Sequence, residues 1–227
     1  MTYKITQSIV NNYTWFRTAK CATTTILTQL YKSTQITHDT TYPFGSDRND
    51  QSFKSIPKQF IKSVKKINVG EYDVDQDGKF KFAFVRNPYD RLYSCWYSKF
   101  GRYNSYDEIT EKLNVEKFIS SGDDVMTFKN FVKNVVNKCN VKDTNPHFAS
   151  LVSLIPHTKL DFIGRFENLQ QDFDIICDKI GIPHQQLPHK NATKHKHYTE
   201  YYDDETKSIV AEKYAKDIEF FGYKFGE

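Results

Sequence analysis

The segment Phe80–Val85 restricts the fold of this chain more than any other part of the sequence. It is a mainly apolar run of strand length, and Asn87 and Pro88 follow it as a helix cap and a first helical residue. Apolar residues then recur at helical spacing to about Phe100. A buried strand that passes directly into a helix predicts a βα unit, whose strands pair in parallel.

The rest of the chain also alternates strand-like runs with helical patterns. Strands are predicted at Tyr13–Arg17 and Leu160–Gly164, and a loop at 38–50. The predicted helices are about Thr24–Tyr31, a run through Ile56, Phe60, Ile61, Val64 and Ile67, an amphipathic stretch over 125–139, Leu169–Ile180 ended by Gly181, and a last helix from near Asp203 to the aromatic run at Phe220. With 227 residues, the pattern predicts an α/β fold, a single domain over 1–227 with a central, mainly parallel sheet flanked by helices.

The composition excludes several classes of protein. The net charge of +4 suits an anionic ligand, but it is too small to indicate a nucleic-acid partner. The 4 cysteines are widely spaced, so neither a metal site nor a disulfide framework is predicted, and Cys139 and Cys177 are expected to pack as small apolar residues. Met1–Val10 lacks the pattern of a signal peptide and no apolar run approaches the ~20 residues of a membrane span, which predicts a soluble, cytoplasmic chain.

The first motif that carries chemistry lies between the first predicted strand and the first predicted helix, at residues 16–26. Backbone N–H groups and the positive end of a helix make such a junction an anion site. Lys20 adds a point charge, and Thr23, Thr24 and Thr25 add hydroxyl donors. The glycines of a GxxxxGK[ST] loop are absent. The alternative is that the threonines only cap the helix, although capping needs one threonine rather than three.

The second motif follows the strongest strand, at residues 86–94. In open α/β sheets ligands bind beyond the carboxyl ends of the strands, so Arg86 stands where a phosphate is gripped. Ser94, near the second turn of the helix, supplies a second donor. The alternative is a structural ion pair of Asp90 with Arg86 or Arg91, and we expect it of Arg91 rather than Arg86.

These segments resemble the 5′-phosphosulfate loop and the 3′-phosphate motif of sulfotransferases that use 3′-phosphoadenosine 5′-phosphosulfate (PAPS). The usual first motif reads PK-x-[GA]-[ST]-T-[ST], and residues 19–25 match it except for Ala19 in place of proline. The second motif, RNPYDRLYS, matches the common form closely. Residues 163–169 resemble the IGRFENL segment of the carbohydrate-type (family 2) enzymes, and residues 201–223 resemble their C-terminal helix.

The resemblance implies a fold like that of nucleotide kinases and an in-line transfer of a sulfuryl group from PAPS to an acceptor hydroxyl, which releases PAP. The acceptor is expected to be a carbohydrate or a small hydroxylated molecule, and no metal is needed. Lys20 is placed to neutralise the leaving group. The residues implied to bind the 5′ end are Lys20, Ala22, Thr23, Thr24 and Thr25, and those implied to bind the 3′-phosphate are Arg86 and Ser94.

The acceptor must also lose a proton, which requires a general base. His38, after the first helix, is the first candidate, and His147 is the second. A basic loop over 189–198 resembles the late loop of the family that closes over the nucleotide. Its Asn191, Thr193 and Lys196 are expected to contact the donor's phosphate or the acceptor, and the alternative is a solvated basic loop.

Two other functions remain open from the residues. A P-loop nucleotide kinase needs a glycine-rich cradle and a magnesium-binding carboxylate, and an arginine stands at the key strand end instead. A non-catalytic protein that binds anionic ligands would explain the basic loop and the positive charge, but the basic residues are spread along the chain.

Overall fold

The computed structural model describes residues 2–8, 10–37, 61–68, 73–76, 78–99, 115, 127–188 and 196–227. In chain order the elements are β1 (Thr2–Ser8), β2 (Tyr13–Phe16), α1 (Thr23–Thr37), β3 (Ile61–Asn68), β4 (Phe80–Val85), α2 (Pro88–Lys99), α3 (Phe128–Phe131), a π-helical turn (Val132–Val136), α4 (Leu151–Leu154), β5 (Phe162–Arg165), a 3₁₀ turn (Phe166–Asn168), α5 (Leu169–Ile180), a second 3₁₀ turn (Tyr198–Tyr201), α6 (Asp204–Lys213) and α7 (Ala215–Phe221).

The chain divides into two compact units. The sheet unit comprises Met1–Val85 and Ile155–Thr193, and the helical unit comprises Arg86–Leu154 and Lys194–Glu227. The single domain over 1–227 stays a prediction. The five strands of the described residues lie in the sheet unit, together with α1 and α5.

The sheet has the strand order β3-β1-β2-β4-β5. β2 pairs in parallel with β4, and β4 pairs in parallel with β5, which confirms the predicted parallel centre. Trp15 lies opposite Phe82, and their rings stack with centroids 6.1 Å apart. On the other side β1 pairs antiparallel with both β2 and β3. The α/β class predicted from the sequence is therefore confirmed, with an antiparallel extension that was not predicted.

The two strands of that extension lack a clear signal in the sequence. β1 was missed because its buried residues include Thr6 and Ser8 beside Ile5, so no alternation of apolar and polar residues is visible. The helix predicted through Ile56, Phe60, Ile61, Val64 and Ile67 is wrong in its described part, because Ile61–Asn68 forms β3 and pairs along β1. Ile56 and Phe60 lie outside the described residues. β-branched residues at a short spacing suit either structure, and pairing with a neighbouring strand decides between them.

Most other elements lie close to their predicted positions. β4 has its predicted bounds, α2 ends at Lys99, and α5 ends at Gly181 in the left-handed conformation with φ 68°. α1 continues to Thr37, and β5 begins at Phe162 rather than Leu160.

Two helical predictions need correction in the helical unit. The stretch over 125–139 is a short α3 followed by a π-helical turn in its described part, and residue 125 lies outside the described residues. The last helix is divided at Tyr214 into α6 and α7, and α7 contains Phe220 and Phe221 instead of ending before them. Tyr214 is buried and its hydroxyl donates to the carbonyl of Phe148, so a tertiary contact accompanies the break.

Aromatic rings dominate the core of the helical unit. Tyr93 stacks on Tyr201 with ring centroids 4.3 Å apart, and Phe128 meets both Tyr93 and Tyr202 edge to face. Such ring pairs add about 0.5–1.5 kcal/mol beyond the burial of their area. The high aromatic content of the chain is thus used to pack α2 against α3 and the second 3₁₀ turn.

Gly164 is required by the close approach of β4 and β5. It lies opposite Phe84, and a Cβ atom added to it would be 2.5 Å from Cε1 of the Phe84 ring. No real Cβ approaches a ring atom so closely. The glycine of the IGRF segment therefore has a packing role where β5 pairs with β4.

Gly164→Ala is expected to lower the free energy of unfolding by about 1–3 kcal/mol, because the added methyl group overpacks the sheet against the Phe84 ring. Chemical denaturation measures the change. In a Phe84→Leu background the same substitution should lower the free energy of unfolding by less, since the smaller side chain leaves room for the added methyl group. An equal cost in both backgrounds would contradict the packing explanation.

Candidate active site

The loop from Arg17 to Ala22 joins β2 to α1 at the carboxyl end of the parallel strands. Thr18 is buried, and its hydroxyl donates to the carbonyl of Phe84 at 2.5 Å, which ties the loop to the end of β4. Thr23 Oγ1 donates to the carbonyl of Thr18 at 2.5 Å, which closes the loop on itself. Sequence reasoning missed Thr18. Its position two residues after the end of β2, within reach of the neighbouring strand, was the available signal.

Two residues of the loop have an unusual backbone. Lys20 and Ala22 adopt the left-handed region with φ 69° and 55°, although neither is glycine. Such residues persist only where the surrounding structure holds them, and they concentrate at functional sites. A backbone that alternates in handedness also turns successive N–H groups to one side, which makes a concavity for an anion. The local conformation therefore supports the anion site expected from the sequence.

Helix α1 begins directly after this loop. The N–H of Ile26 donates to the carbonyl of Ala22 at 3.1 Å, so the N–H groups that precede it lie at the open end of the helix. No acidic residue stands in the first turn, and the helix is 15 residues long. The positive end of the helix dipole thus faces the loop without a local carboxylate.

The structure brings the five predicted 5′-end residues together at the loop and the first turn of α1. Lys20, Ala22, Thr23 and Thr24 are partly exposed, whereas Thr25 is buried with 4% of its surface exposed. The Thr23 hydroxyl is engaged with the loop carbonyl, so it contributes to the shape of the loop rather than to a helix cap.

Arg17 places a second cation at the start of the loop. Burial lowers the pKa of its guanidinium, and the nearby Tyr31 hydroxyl acts in the opposite direction. Burial also raises the pKa of Tyr31. A cation that has lost part of its hydration is stabilised by an anion, so Arg17 adds to the attraction of the loop for negative charge.

Arg86, in the helical unit, forms the ion pair that was expected of Arg91. Its Nε and Nη2 both donate to Asp90 Oδ2 at 2.8 Å, and Arg86 is 8% exposed. Arg91 instead donates to the carbonyls of Ala149 and Pro146 at 2.7 and 2.9 Å. The expectation for this pair is therefore wrong. Arg86 and Asp90 are four residues apart, a spacing that favours such a pair.

Ser94 lies on the same side of α2 as Asp90, because residues four apart share a helix face. Arg86 precedes α2, and Asp90 holds its guanidinium, so the ion pair connects Arg86 to the helix face that carries Ser94. Ser94 is partly exposed. The guanidinium has five N–H donors in a planar fork, a geometry that suits a phosphate.

Asn87 is the helix cap predicted from the sequence, and it has a second structural role that the motif alone did not reveal. Its Oδ1 accepts from the N–H of Tyr89 at 3.1 Å, so it caps α2. Its Nδ2 donates to the carbonyl of Lys224 at 2.8 Å and to that of Glu227 at 3.3 Å. The asparagine thus joins the start of α2 to the end of the chain.

Of the other residues predicted for the site, the structure describes two. His147 is partly exposed, and its Nδ1 lies 2.8 Å from Asn145 Oδ1. Lys196 is exposed and pairs with Glu200 at 3.0 Å, and this hydrogen bond raises its pKa. The remaining three, His38, Asn191 and Thr193, lie outside the described residues.

The cysteines behave as small apolar residues. All 4 are buried and none forms a disulfide bond, which confirms the packing predicted for Cys139 and Cys177. Burial raises the pKa of the Cys177 thiol to about 12, with further contributions from Asp174 and Asp178. Within the described part of the chain, no three His, Cys, Asp or Glu residues are grouped so that they could hold a metal ion.

The helices that the structure describes include none that is both long enough and apolar enough to span a membrane. The cytoplasmic compartment stays a prediction.

Comparison with known proteins gives one family and several relatives. Residues 5–224 match the sequence model described as "Sulfotransferase family". Carbohydrate sulfotransferase 14 of Danio rerio is 32% identical over 165 residues, which cover 63% of this chain and 44% of that protein. Carbohydrate sulfotransferase 9 of Homo sapiens is 28% identical over 149 residues, which cover 61% of this chain and 32% of that protein.

A third relative is carbohydrate sulfotransferase 11 of Mus musculus, 25% identical over 136 residues, which cover 54% of this chain and 38% of that protein. The alignments thus span less than half the length of each of these relatives. No solved structure matches the chain.

Ala22→Gly is expected to raise the free energy of unfolding by about 0.5–1 kcal/mol, because glycine adopts the left-handed conformation without strain. Thermal or chemical unfolding measures the change. Ala19→Gly, at a loop position without a positive φ, is the matched control and should destabilise the protein. A loss of stability in both variants would show that Ala22 is not strained.

Proposed function

This chain belongs to the sulfotransferase family, and we propose on that premise that it transfers a sulfuryl group from PAPS to a carbohydrate hydroxyl and releases PAP. The observation that carries the proposal is the loop from Arg17 to Ala22, a strained backbone concavity at the start of a 15-residue helix without acidic residues in its first turn. The carbohydrate acceptor is supported by the names of three relatives, all carbohydrate sulfotransferases.

The loop suits the 5′-phosphosulfate of the donor. Backbone N–H groups at the loop and helix end bind an anion without needing the glycines of a P-loop, since Lys20 and Ala22 already adopt the left-handed conformation. We assign the 5′ end of PAPS to Lys20, Ala22, Thr23, Thr24 and Thr25. Thr23 acts mainly by closing the loop, and the ammonium group of Lys20 neutralises negative charge of the phosphosulfate.

We assign the 3′-phosphate of the donor to Arg86 and Ser94. Asp90 orients the Arg86 guanidinium through two short bonds, so little side-chain freedom is lost when a phosphate binds. Ser94 supplies a hydroxyl donor from the same face of α2. Arginine suits this task because its planar fork matches a phosphate.

In the transfer step, the acceptor oxygen forms a bond to sulfur while the bond from sulfur to the bridging oxygen breaks. The bridging oxygen leaves on the 5′-phosphate and gains negative charge, which Lys20 neutralises. A general base takes the proton of the acceptor hydroxyl. His147 and His38 are the candidates for this base, and the hydrogen bond of His147 to Asn145 supports His147.

The basic loop over 189–198 is also proposed to bind ligands. Asn191, Thr193 and Lys196 are proposed to contact the donor's phosphate or the acceptor. Lys196 pairs with Glu200 across an exposed surface, where an ion pair contributes little. Lys196 therefore loses little free energy when it leaves Glu200 to bind a phosphate.

PAP is expected to raise the melting temperature by about 5–10 °C at ~100 times its dissociation constant, because ligand binding at that ratio adds about 2.7 kcal/mol. ATP at the same concentration is the control for a nucleotide kinase. Arg86→Ala should lose most of the PAP-induced rise, whereas Lys138→Ala, an exposed lysine of the same unit, should keep it. An equal rise with ATP, or no rise with PAP, would contradict the proposal.

Transfer of radiolabelled sulfate from PAPS to a panel of neutral and anionic oligosaccharides tests the activity itself. Lys20→Gln is expected to lower kcat by about 100-fold or more, because it removes a charge that stabilises the leaving group. Lys32→Gln, an exposed lysine of α1, is the matched control and should leave kcat unchanged. PAP binding without transfer to any member of the panel would favour a non-catalytic binding protein.

A further inference from the structure

The segment from Asn145 to Ala149, which carries His147, has a firmly held backbone. The N–H groups of Phe148 and Ala149 donate to the carbonyl of Asn145 at 3.0 and 2.9 Å. The carbonyl of Phe148 accepts from the Tyr214 hydroxyl. Both phenylalanine and alanine are buried, whereas the histidine between proline and phenylalanine is partly exposed. The segment is therefore held through its buried residues, and His147 is its partly exposed member next to them.

Arg91 forms charge-assisted hydrogen bonds to the backbone of this segment. It is 1% exposed, and its two terminal nitrogens donate to the carbonyls of Pro146 and Ala149 at 2.9 and 2.7 Å. These carbonyls flank His147 on both sides. A buried guanidinium forms hydrogen bonds about twice as strong as those of a neutral donor, and its planar fork fixes the distance between the two acceptors.

Asn145 determines which nitrogen of the imidazole carries the proton. Its Oδ1 accepts from the backbone N–H of His147 at 3.0 Å, and Nδ1 of the ring lies 2.8 Å from the same oxygen. A carboxamide oxygen can only accept, so Nδ1 must be the protonated nitrogen. The lone pair of the neutral ring then lies on Nε2, which is the arrangement that a base needs.

Helix α2 connects this arrangement to the proposed donor site within the helical unit. Asp90 and Ser94 occupy the face assigned to the 3′-phosphate, and Arg91 follows Asp90 directly in the chain. One rigid helix thus carries the anchor of the phosphate-binding arginine and the anchor of the histidine segment. Sites built on regular elements hold their geometry better than sites built on loops.

We propose that Asn145 and Arg91 are positioning residues for His147: Asn145 sets the tautomer with Nε2 as the basic nitrogen, and Arg91 holds the backbone on either side of the ring. The inference rests on the proposed function, in which His147 takes the proton of the acceptor hydroxyl. Neither residue touches the reacting atoms.

The tautomer is measured by NMR of the full chain labelled with ¹⁵N-histidine, at a pH where His147 is neutral, with the signal assigned by His147→Gln. The wild-type ring is expected to be protonated at Nδ1. Asn145→Ala should move the proton to Nε2, because the acceptor is lost, and Asn145→Asp should retain it on Nδ1. Asn140→Ala is the matched control, since Asn140 Oδ1 also accepts a backbone N–H two residues on, where the residue is Lys142 rather than a histidine.

Kinetics with the best acceptor of the oligosaccharide panel complete the test. Asn145→Ala is expected to lower kcat by about 10- to 100-fold, within the range of a general base, with the dissociation constant of PAP unchanged within about twofold. Asn145→Asp should recover most of kcat. Arg91→Lys, which keeps the charge but loses the fork, should lower kcat by about 10-fold with PAP binding retained.

The two proposals fail in different ways. A wild-type ring protonated at Nε2, an unchanged tautomer in Asn145→Ala, or full kcat in His147→Gln would overturn the positioning role while PAP binding and transfer stand. A wild-type protein that transfers no sulfate would overturn the proposed function. In that case the tautomer measurement still decides whether Asn145 orients the ring, because it needs neither donor nor acceptor.

Discussion

Parallel pairing of β2 with β4, and of β4 with β5, is the constraint on which the rest of the sheet unit depends. It brings the carboxyl ends of the three strands to one edge, so that the loop after β2 begins beside the end of β4. Thr18 can then reach the carbonyl of Phe84, and this bond holds a loop whose next residues include two in the left-handed region. Because the loop has no glycine to adopt that conformation without strain, its shape, and with it the proposed site for the 5′-phosphosulfate, depends on the pairing.

The RNPYDRLYS segment shows how one recognisable motif can combine several physical roles. Ser94 lies on the face of α2 proposed to hold a phosphate, and Asp90 on the same face orients Arg86, which precedes the helix. Asn87 caps the helix and bonds to the last residues of the chain. Arg91 is buried against the carbonyls beside His147. Matching the motif to the family identifies these residues, but only their hydrogen bonds show which distant carbonyls Asn87 and Arg91 contact.

Elements with strong local signals were predicted well. Phe80–Val85 and the helix that begins at Pro88 match because an apolar strand, an asparagine cap and a first-turn proline all act within a few residues. The strand Ile61–Asn68 was predicted as a helix, since its structure is set by pairing with β1 and not by its own spacing. Asp90 pairs with Arg86 rather than Arg91 for a related reason, because Arg91 finds its acceptors 58 and 55 residues away.

By itself, the sequence determined the family, the order of most elements and the positions of the two motifs, because residue identity and short-range preferences are enough to recognise them. The tertiary structure alone decided that Thr18 anchors the loop through a carbonyl 66 residues away, and that Asn145 and Arg91 hold His147. These contacts depend on strand register and on the direction in which each side chain leaves its element. Neither is encoded in the spacing of residues along the chain, so the hydrogen bonds that shape the site appear only when distant segments come together.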